Sequence, residues 1–580
     1  MLLPQTTLPD DPIFSRLVQL ATSRDGQVIV DDRSRGTQFG YDHILHGTVD
    51  LVQQLQSLLN RDILDNRGGV YIAVLAPNSY EFIIAVLAVL ALGGVVVPMP
   101  TGALAAEAAH ILRQCGACCI LVGPEQVDLL ARIEDEVKIP SLLVGSHVGD
   151  SESRNPVPVT SLALDPAAAV SEECPSILFF TSGTSGPPKG VLHARRTVNK
   201  YARLEEVGPN EEICIIPRGA FWSLYFTKLF QMLLIGVRVE IHNFGRNYDL
   251  IWEKLRDGTA TRIALSPTFW YGMMDFFQRH ISKLPEPTID EYVRGVRQLR
   301  DASASGAVLS NRIKEFWKDM RGGRPLKVQY GSTETQEISI CDEGAGMVEG
   351  DLGVPFPNVT IKLSEGDEGE LLVKTPSMFL GYLNSPDSTA QCMDSGGFFK
   401  TGDLVVRQNG RYIFKGRANM DLFKFYTYKV PRMEVESCLL ALPYIEEGYI
   451  MPVADPQCDT RVAALVRLRG RFHTVELSTI RGDLSRDLPA YQLPTVLRVL
   501  RDGETVPRTW SDKTALKQAV RMFFPQDDEE RLCGEAIEVM DVSGFMKMET
   551  KKPWDLSGMS SGETVRNRVQ NKQDQWYPIS

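Results

Sequence analysis

ILFFTSGTSGPPKG, residues 177–190, is the stretch on which the reading of this chain turns. An apolar run, Ile177 to Phe180, stops at ten residues holding four hydroxyls, three glycines and one lysine: Thr181, Ser182, Gly183, Thr184, Ser185, Gly186, Pro187, Pro188, Lys189 and Gly190. A polyphosphate asks for these types, because small residues let backbone N–H groups approach, hydroxyls donate and a lysine neutralises charge. Composition alone would equally describe a solvated linker. The position straight after an apolar strand, closed by Pro-Pro-Lys-Gly, favours the phosphate cradle. The spacing excludes the common loop G-x-x-x-x-G-K-[S/T], since Gly183 and Gly186 are too close together and Gly190 follows Lys189.

Outward from this loop, helical and strand signals alternate from about residue 12 to 410. An amphipathic run covers Ile13–Ala21, an apolar strand Val70–Leu75, and a helix starts at Glu81. Further buried strands are expected at Val237–Ile241, Arg262–Leu265 and Leu326–Tyr330. Alternation of this kind predicts an α/β fold with largely parallel sheets and ligand loops at the carboxyl ends of strands. The apolar stretch Phe82–Val97 is short for a membrane span, is interrupted by Gly93 and Gly94 and runs into Pro98, so it reads as a buried helix leading into a buried strand. From Gly369 the pattern turns to short strands, a β-rich module. The predicted organisation is a large N-terminal domain of stacked α/β sheets plus that module (1–416), a small mobile α+β C-terminal domain (417–524) and a polar, flexible or loosely docked tail (525–580).

Composition narrows the function. The 580 residues carry 43% hydrophobic and 23% charged side chains, an ordinary globular balance, and a net charge of −11. Nucleic acid and anionic membranes reward clustered Lys and Arg, so no nucleic-acid partner and no transmembrane segment are expected, and any phosphate must be held locally. Ten cysteines without a regular framework fit a reducing compartment. Cys115, Cys118 and Cys119 invite a metal site but have no second Cys or His pair nearby, so they read as buried thiols. Met1–Phe14 contains two aspartates and no arginine, and a cytoplasmic address is expected.

The loop TSGTSGPPKG resembles the signature of the adenylate-forming superfamily of acyl-CoA synthetases, luciferases and peptide-synthetase adenylation domains, and further segments follow in that family's order from about residue 12 to 522. Tyr330-Gly331-Ser332-Thr333-Glu334 resembles the Y-G-x-T-E segment. There the resemblance implies a ring on adenine, a Thr on the α-phosphate and a Glu that helps hold Mg²⁺, a hard ion that takes carboxylate oxygen. Ser305-Gly306-Ala307 resembles the small-residue segment beside adenine and the acyl pocket. Thr401-Gly402-Asp403 resembles the T-G-D segment whose Asp accepts from both ribose hydroxyls, and Gly416-Arg417 the pair at the domain junction, after which a hinge is implied. Pro507-Arg508-Thr509 with Lys513 resembles the final segment, whose Lys reaches the carboxylate and α-phosphate.

The resemblance implies ATP-dependent activation of a small carboxylic acid as an acyl-adenylate, with Thr184, Lys189, Glu334 and Lys513 catalytic, then transfer to the thiol of coenzyme A. A carrier protein or a polyketide or peptide synthase is the alternative acceptor, and a non-catalytic nucleotide-binding scaffold the alternative class. Several positions depart from the family pattern. Thr427 stands in the run Phe425–Lys429 where a glycine usually lines the thiol channel, Asp512 precedes Lys513, Ala418 and Asn419 lack the usual charged hinge residue, and Pro217–Trp222 has no histidine. The spacing of GRANMDLFKFYTYKV is similar to malonyl-CoA synthetase-like members. That similarity makes Arg300 a candidate for a second substrate carboxylate, and Arg218 is a second candidate. A diacid and a medium-chain, branched or aromatic acid both remain open.

Overall fold

A computed structural model describes residues 7–145, 162–181, 189–208, 212–217, 219–242, 247–341, 348–417, 422–425, 428–455, 458–470, 472, 474–509, 514–525 and 537–542. By internal contacts the chain forms two compact units. One comprises residues 1–401, 405–414 and 509–512, and the other 402–404, 415–508 and 513–580.

Two mainly parallel sheets dominate the first unit. The seven-stranded sheet has the order Gly381–Tyr382, Gly190–Ala194, Pro175–Phe180, Val95–Pro98, Tyr71–Leu75, Cys119–Val122, Ser141–Leu143. Its last five strands run parallel, and the first two are added antiparallel. The nine-stranded sheet has a parallel centre of Lys327–Ser332, Asp301–Ser305, Arg262–Leu265, Ile213–Ile216, Arg238–Ile241 and Val30–Asp32, with antiparallel strands at its edges. The strands that carry the candidate site are labelled β1 (Pro175–Phe180), β2 (Gly190–Ala194), β3 (Asp301–Ser305), β4 (Lys327–Ser332), β5 (Gln336–Cys341), β6 (Gly381–Tyr382), β7 (Phe399–Gln408) and β8 (Arg411–Arg417), and the helix Ser223–Ile235 is α1.

The apolar stretch at 82–97 folds as predicted from its composition. Tyr80–Ala91 is a helix capped by Ser79, whose hydroxyl accepts from the Phe82 amide, and every residue from Tyr80 to Leu90 is buried. A helix apolar on all sides needs cover on all sides. It gets that cover in one hydrophobic cluster with α1 and with residues of both sheets, among them Val74, Val96, Phe179, Cys214 and Ile241. Phe82 and Phe226 meet edge to face at 6.2 Å within it. Among the described residues no helix is long and apolar enough to cross a membrane.

The β-rich module is a four-stranded sheet of Thr360–Leu363, Glu368–Lys374, β7 and β8. The second unit holds a six-stranded sheet in which Ile445–Asp455 and Asp459–Leu468 form a long antiparallel pair. Of the tail, residues 537–542 are docked on this sheet. Ile537–Val539 adds antiparallel to Val496–Val499, Glu538 accepts from the Leu477 amide at 2.7 Å, and Val542 is buried in the unit's core. Ile537, Met540 and Val542 supply apolar contacts too sparse for a periodicity signal, and an open sheet edge gives the backbone its partners.

Candidate active site

Antiparallel pairing fixes the arms of the 181–190 loop. Gly190 lies opposite Phe180, the Thr181 amide donates to the Lys189 carbonyl at 3.0 Å, and the Lys189 amide donates to Thr181 Oγ1 at 3.2 Å. Thr181 and Lys189 therefore close the base of the loop. Ser182, Gly183, Thr184, Ser185 and Gly186 lie outside the described residues, as do Arg218 and Lys513.

On the far side of β2 comes β6, with Val191 opposite Tyr382. This register carries the Tyr382 ring to the loop arm, where the Lys189 ammonium stands 5.0 Å from the ring centroid, within cation–π range. The Tyr382 hydroxyl in turn donates to Glu334 Oε1 at 2.9 Å. Burial first, then the Glu334 carboxylate, hold the phenol above its ordinary range, so it stays protonated and donates. Lys189 and Glu334, 145 residues apart in sequence, thus share one tyrosine. Sequence reading missed Tyr382, because neither periodicity nor composition marks one tyrosine in a two-residue edge strand.

Glu334 is on the turn that joins β4 to β5. The two strands pair closely there: a Cβ on Gly331 would fall 2.2 Å from the Gln336 carbonyl, so only glycine fits. Ser332 Oγ and Thr335 Oγ1 are 3.0 Å apart across the turn, and the Glu334 carbonyl accepts from the Phe379 amide at 2.8 Å. Tyr330 packs against the apolar cluster of the β-rich module. One strand over, Ser305 pairs with Gln329 at the carboxyl end of β3, and Gly306 follows at φ 91°. A Cβ built on Gly306 would meet nothing within 4 Å, so the segment Ser305-Gly306-Ala307 borders open space. The first unit thereby brings Ser305–Ala307 and Tyr330–Glu334 to the carboxyl ends of adjacent parallel strands.

Arg300 does not join them. It precedes β3 at the opposite end, about five residues or roughly 16 Å of strand from Ser305. Its side chain is 61% exposed and lies 3.8 Å from Glu212, among the ion pairs of Asp301 with Lys228, Arg262 and Lys327. The parallel strand direction explains this, since one side of a strand residue count faces the ligand loops and the other faces the loops beneath.

In the second unit Asp403 is 3% exposed and accepts from Arg417 Nε at 2.7 Å. The described residues flanking 510–513 pair with one another: Arg508 bridges Thr514, its guanidinium donates to the Tyr449 hydroxyl at 3.0 Å, and the Ala515 amide donates to the Pro507 carbonyl at 2.9 Å. Cys115 and Cys119 lie in two different apolar clusters, with Cys118 partly buried against the second, and burial pushes Cys115 up to about 11, Cys119 up to about 12, and Cys118 upward.

Among the described residues no group of three or more His, Cys, Asp or Glu side chains gathers to hold a metal. Glu334 fits Mg²⁺ differently, as a single carboxylate joined through Tyr382 to the Lys189 arm of a loop rich in hydroxyl and small residues. Mg²⁺ is commonly bound by one or two carboxylates together with substrate phosphates.

Comparison with known proteins places the chain among relatives of one family. The AMP-binding enzyme family matches residues 49–383. Over 552 residues, 95% of this chain and 99% of the relative, the sequence is 46% identical to acyl-CoA ligase oryP of Aspergillus oryzae. It is 27% identical over 524 residues to the mitochondrial malonate–CoA ligase ACSF3 of Bos taurus, covering 82% and 84%. In fold it is similar to ATP-bound MatB from Rhodopseudomonas palustris, with a TM-score of 0.70 at 20% identity over 87% and 98% of the chains. It is also similar to the anthranilate CoA ligase AuaEII in complex with anthranoyl-AMP, with a TM-score of 0.72 at 19% identity over 90% and 98%. The chain belongs to the AMP-binding enzyme family. Within it, the chain is an AMP-forming acid–thiol ligase, with ATP and coenzyme A as co-substrates.

Proposed function

We propose that this ligase activates a monocarboxylic acid with an apolar chain and that the residues singled out above carry the two half-reactions. A substrate carboxylate oxygen attacks the α-phosphorus of ATP, the bond to the bridging oxygen breaks, and pyrophosphate leaves. The thiol of coenzyme A then attacks the acyl carbon of the mixed anhydride and AMP departs. The observation that carries this reading is the Lys189–Tyr382–Glu334 arrangement, which holds a cation and a carboxylate at the base of a loop rich in small and hydroxyl residues.

In this reading Thr181 to Gly186 and Lys189 cradle the phosphates. Thr333 meets the α-phosphate, Ser305–Ala307 and Tyr330 flank the base, and Asp403, oriented by Arg417, accepts from the ribose. Glu334 would hold Mg²⁺, which when bound supplies positive charge to the phosphate oxygens. Lys513 reaches the carboxylate and α-phosphate. The gain is positioning plus electrostatics, as in other phosphoryl and nucleotidyl transfers. Residues 417–524 would act as the small mobile domain.

Arg300, at the opposite end of β3 from Ser305, weakens the case for a diacid, and in this reading Phe221 and Trp222, whose rings stand 6.1 Å apart ahead of α1, would face the apolar chain. Pyrophosphate release over a panel including octanoate, benzoate, malonate and methylmalonate tests this. Release with malonate above all others would overturn it. Supplying coenzyme A or a phosphopantetheinylated carrier protein with the preferred acid separates the two acceptors: AMP release with no acyl-CoA would replace coenzyme A by the carrier. A cytoplasmic address belongs to the same reading and is tested by fractionating the tagged full-length chain against mitochondrial and cytosolic markers.

A further inference from the structure

Gln336, the first residue of β5, has φ 60°, one of four non-glycine residues with positive φ among the described residues, and the others are all asparagine. Asparagine tolerates this region and glutamine gains little there, so the surroundings must hold it in place. Its side chain is 5% exposed. The carboxamide nitrogen lies 2.9 Å from the Thr333 carbonyl oxygen and 3.0 Å from Ser223 Oγ, and Ser223 Oγ lies 3.2 Å from the carboxamide oxygen.

The same Thr333 oxygen is 2.7 Å from Nε2 of His193 on β2, a side chain with no exposure. His193 Nδ1 faces Thr197 Oγ1 at 3.4 Å. The consistent tautomer has Nε2–H donating to Thr333 and Nδ1 accepting from the threonine hydroxyl. The 3.2 Å approach of His193 Nε2 to the Gln336 nitrogen is then packing of two donors onto one acceptor. Both lone pairs of the Thr333 carbonyl are thereby taken by buried side chains, one from the strand after the phosphate loop and one from the strand after the Y-G-S-T-E segment.

We propose that His193 and Gln336 are positioning residues that fix the Thr333–Glu334 peptide and so aim the Thr333 and Glu334 side chains at Mg·ATP. The inference rests on the roles proposed above for Thr333 and Glu334. A peptide plane held at its oxygen cannot rotate without moving both flanking side chains. On the other side of Glu334 the Phe379 amide holds the next carbonyl. The backbone strain at Gln336 is the kind retained where function, not stability, selects the residue.

The test compares Mg·ATP affinity, by calorimetry on the full chain, with adenosine affinity, by NMR titration, because adenosine has no phosphate to sense the peptide. Gln336→Gly relieves the positive φ and removes the clamp. It is expected to unfold at a temperature no lower than the parent while binding Mg·ATP at least tenfold more weakly and adenosine within twofold. His193→Phe is expected to lose Mg·ATP affinity similarly, and His193→Gln, which restores an N–H donor, to recover most of it. Because both residues hold one carbonyl, the double variant His193→Phe with Gln336→Gly is expected to fall short of the product of the single losses. Parental Mg·ATP affinity in Gln336→Gly, or a proportional loss of adenosine, overturns the clamp. A control Glu334→Gln that binds Mg·ATP as the parent does would instead overturn the reading of Glu334 itself.

Discussion

Tyr382 donates its phenolic hydrogen to Glu334 while presenting its ring to Lys189, so one side chain on a two-residue edge strand joins the proposed metal-holding carboxylate to the lysine of the proposed phosphate loop. Tyr382→Phe keeps the ring and removes the donor. A hydrogen bond to a charged group contributes about 1.5–3 kcal/mol. The expected outcome is a fall of roughly tenfold or more in kcat/KM for Mg·ATP, measured by pyrophosphate release, with KM for coenzyme A unchanged. An unaltered kcat/KM would show that Glu334 needs no such support.

The role proposed for Lys513 predicts that the two half-reactions respond differently to its loss. Lys513→Ala is expected to slow adenylation on the order of 10²–10³-fold, the scale of losing a preorganised charge in a transition state. Conversion of a supplied acyl-adenylate and coenzyme A to acyl-CoA should proceed at the parental rate. Equal loss in both assays would place the lysine in a general structural role.

Arg300 offers the opposite control. Its exposed side chain, 3.8 Å from Glu212, makes the sort of surface pair that contributes about 0–1 kcal/mol. Arg300→Ala should leave kcat/KM for every acid in the panel within twofold. A selective loss on dicarboxylic acids would bring the arginine back to the substrate.

Gly331 tests the backbone that carries Glu334. Gly331→Ala places a methyl 2.2 Å from the Gln336 carbonyl, so the β4–β5 pairing must shift. Destabilisation of about 1–3 kcal/mol is expected from overpacking, together with weakened Mg·ATP binding. Circular dichroism melting and calorimetry read the two effects. A parental melt would refute the close approach.

His193 gives a pH dependence of defined sign. Burial pushes its ring down to about 4 from the ordinary 6.5. Between those values the unfolded chain binds a proton that the folded chain does not, so stability rises with pH across this window and is lost as pH falls toward 4. The full difference is on the order of 3 kcal/mol. Urea unfolding of the parent between pH 7 and 4 should therefore lose more stability than His193→Gln by about that amount. Parallel pH profiles would mean that the ring titrates normally.

How much of this was legible beforehand follows from how local each feature is. The buried helix at Tyr80–Ala91, the strands at Pro175–Phe180 and Arg262–Leu265, and the reading of Ile177–Gly190 all depend on contiguous residues, whose apolar runs and turn chemistry speak without a partner. Lys189 and Glu334 drew attention for the same reason, as members of short segments, and their proposed roles await the tests above. Tyr382, His193 and Gln336 were not, because each acts through a residue far away in the chain, and what brings them together is strand order and register. Arg300 shows what residue type alone leaves out: it stands at the amino end of the strand whose carboxyl end carries Ser305, a placement set by the direction in which the backbone runs. Sequence by itself determined the sheets' composition and the chemistry available to the site, since both reside in local residue types. Only tertiary structure decided which of those groups share a carbonyl, a carboxylate or a ring, since hydrogen bonds and ring contacts form over a few ångströms between elements that sequence spacing does not relate.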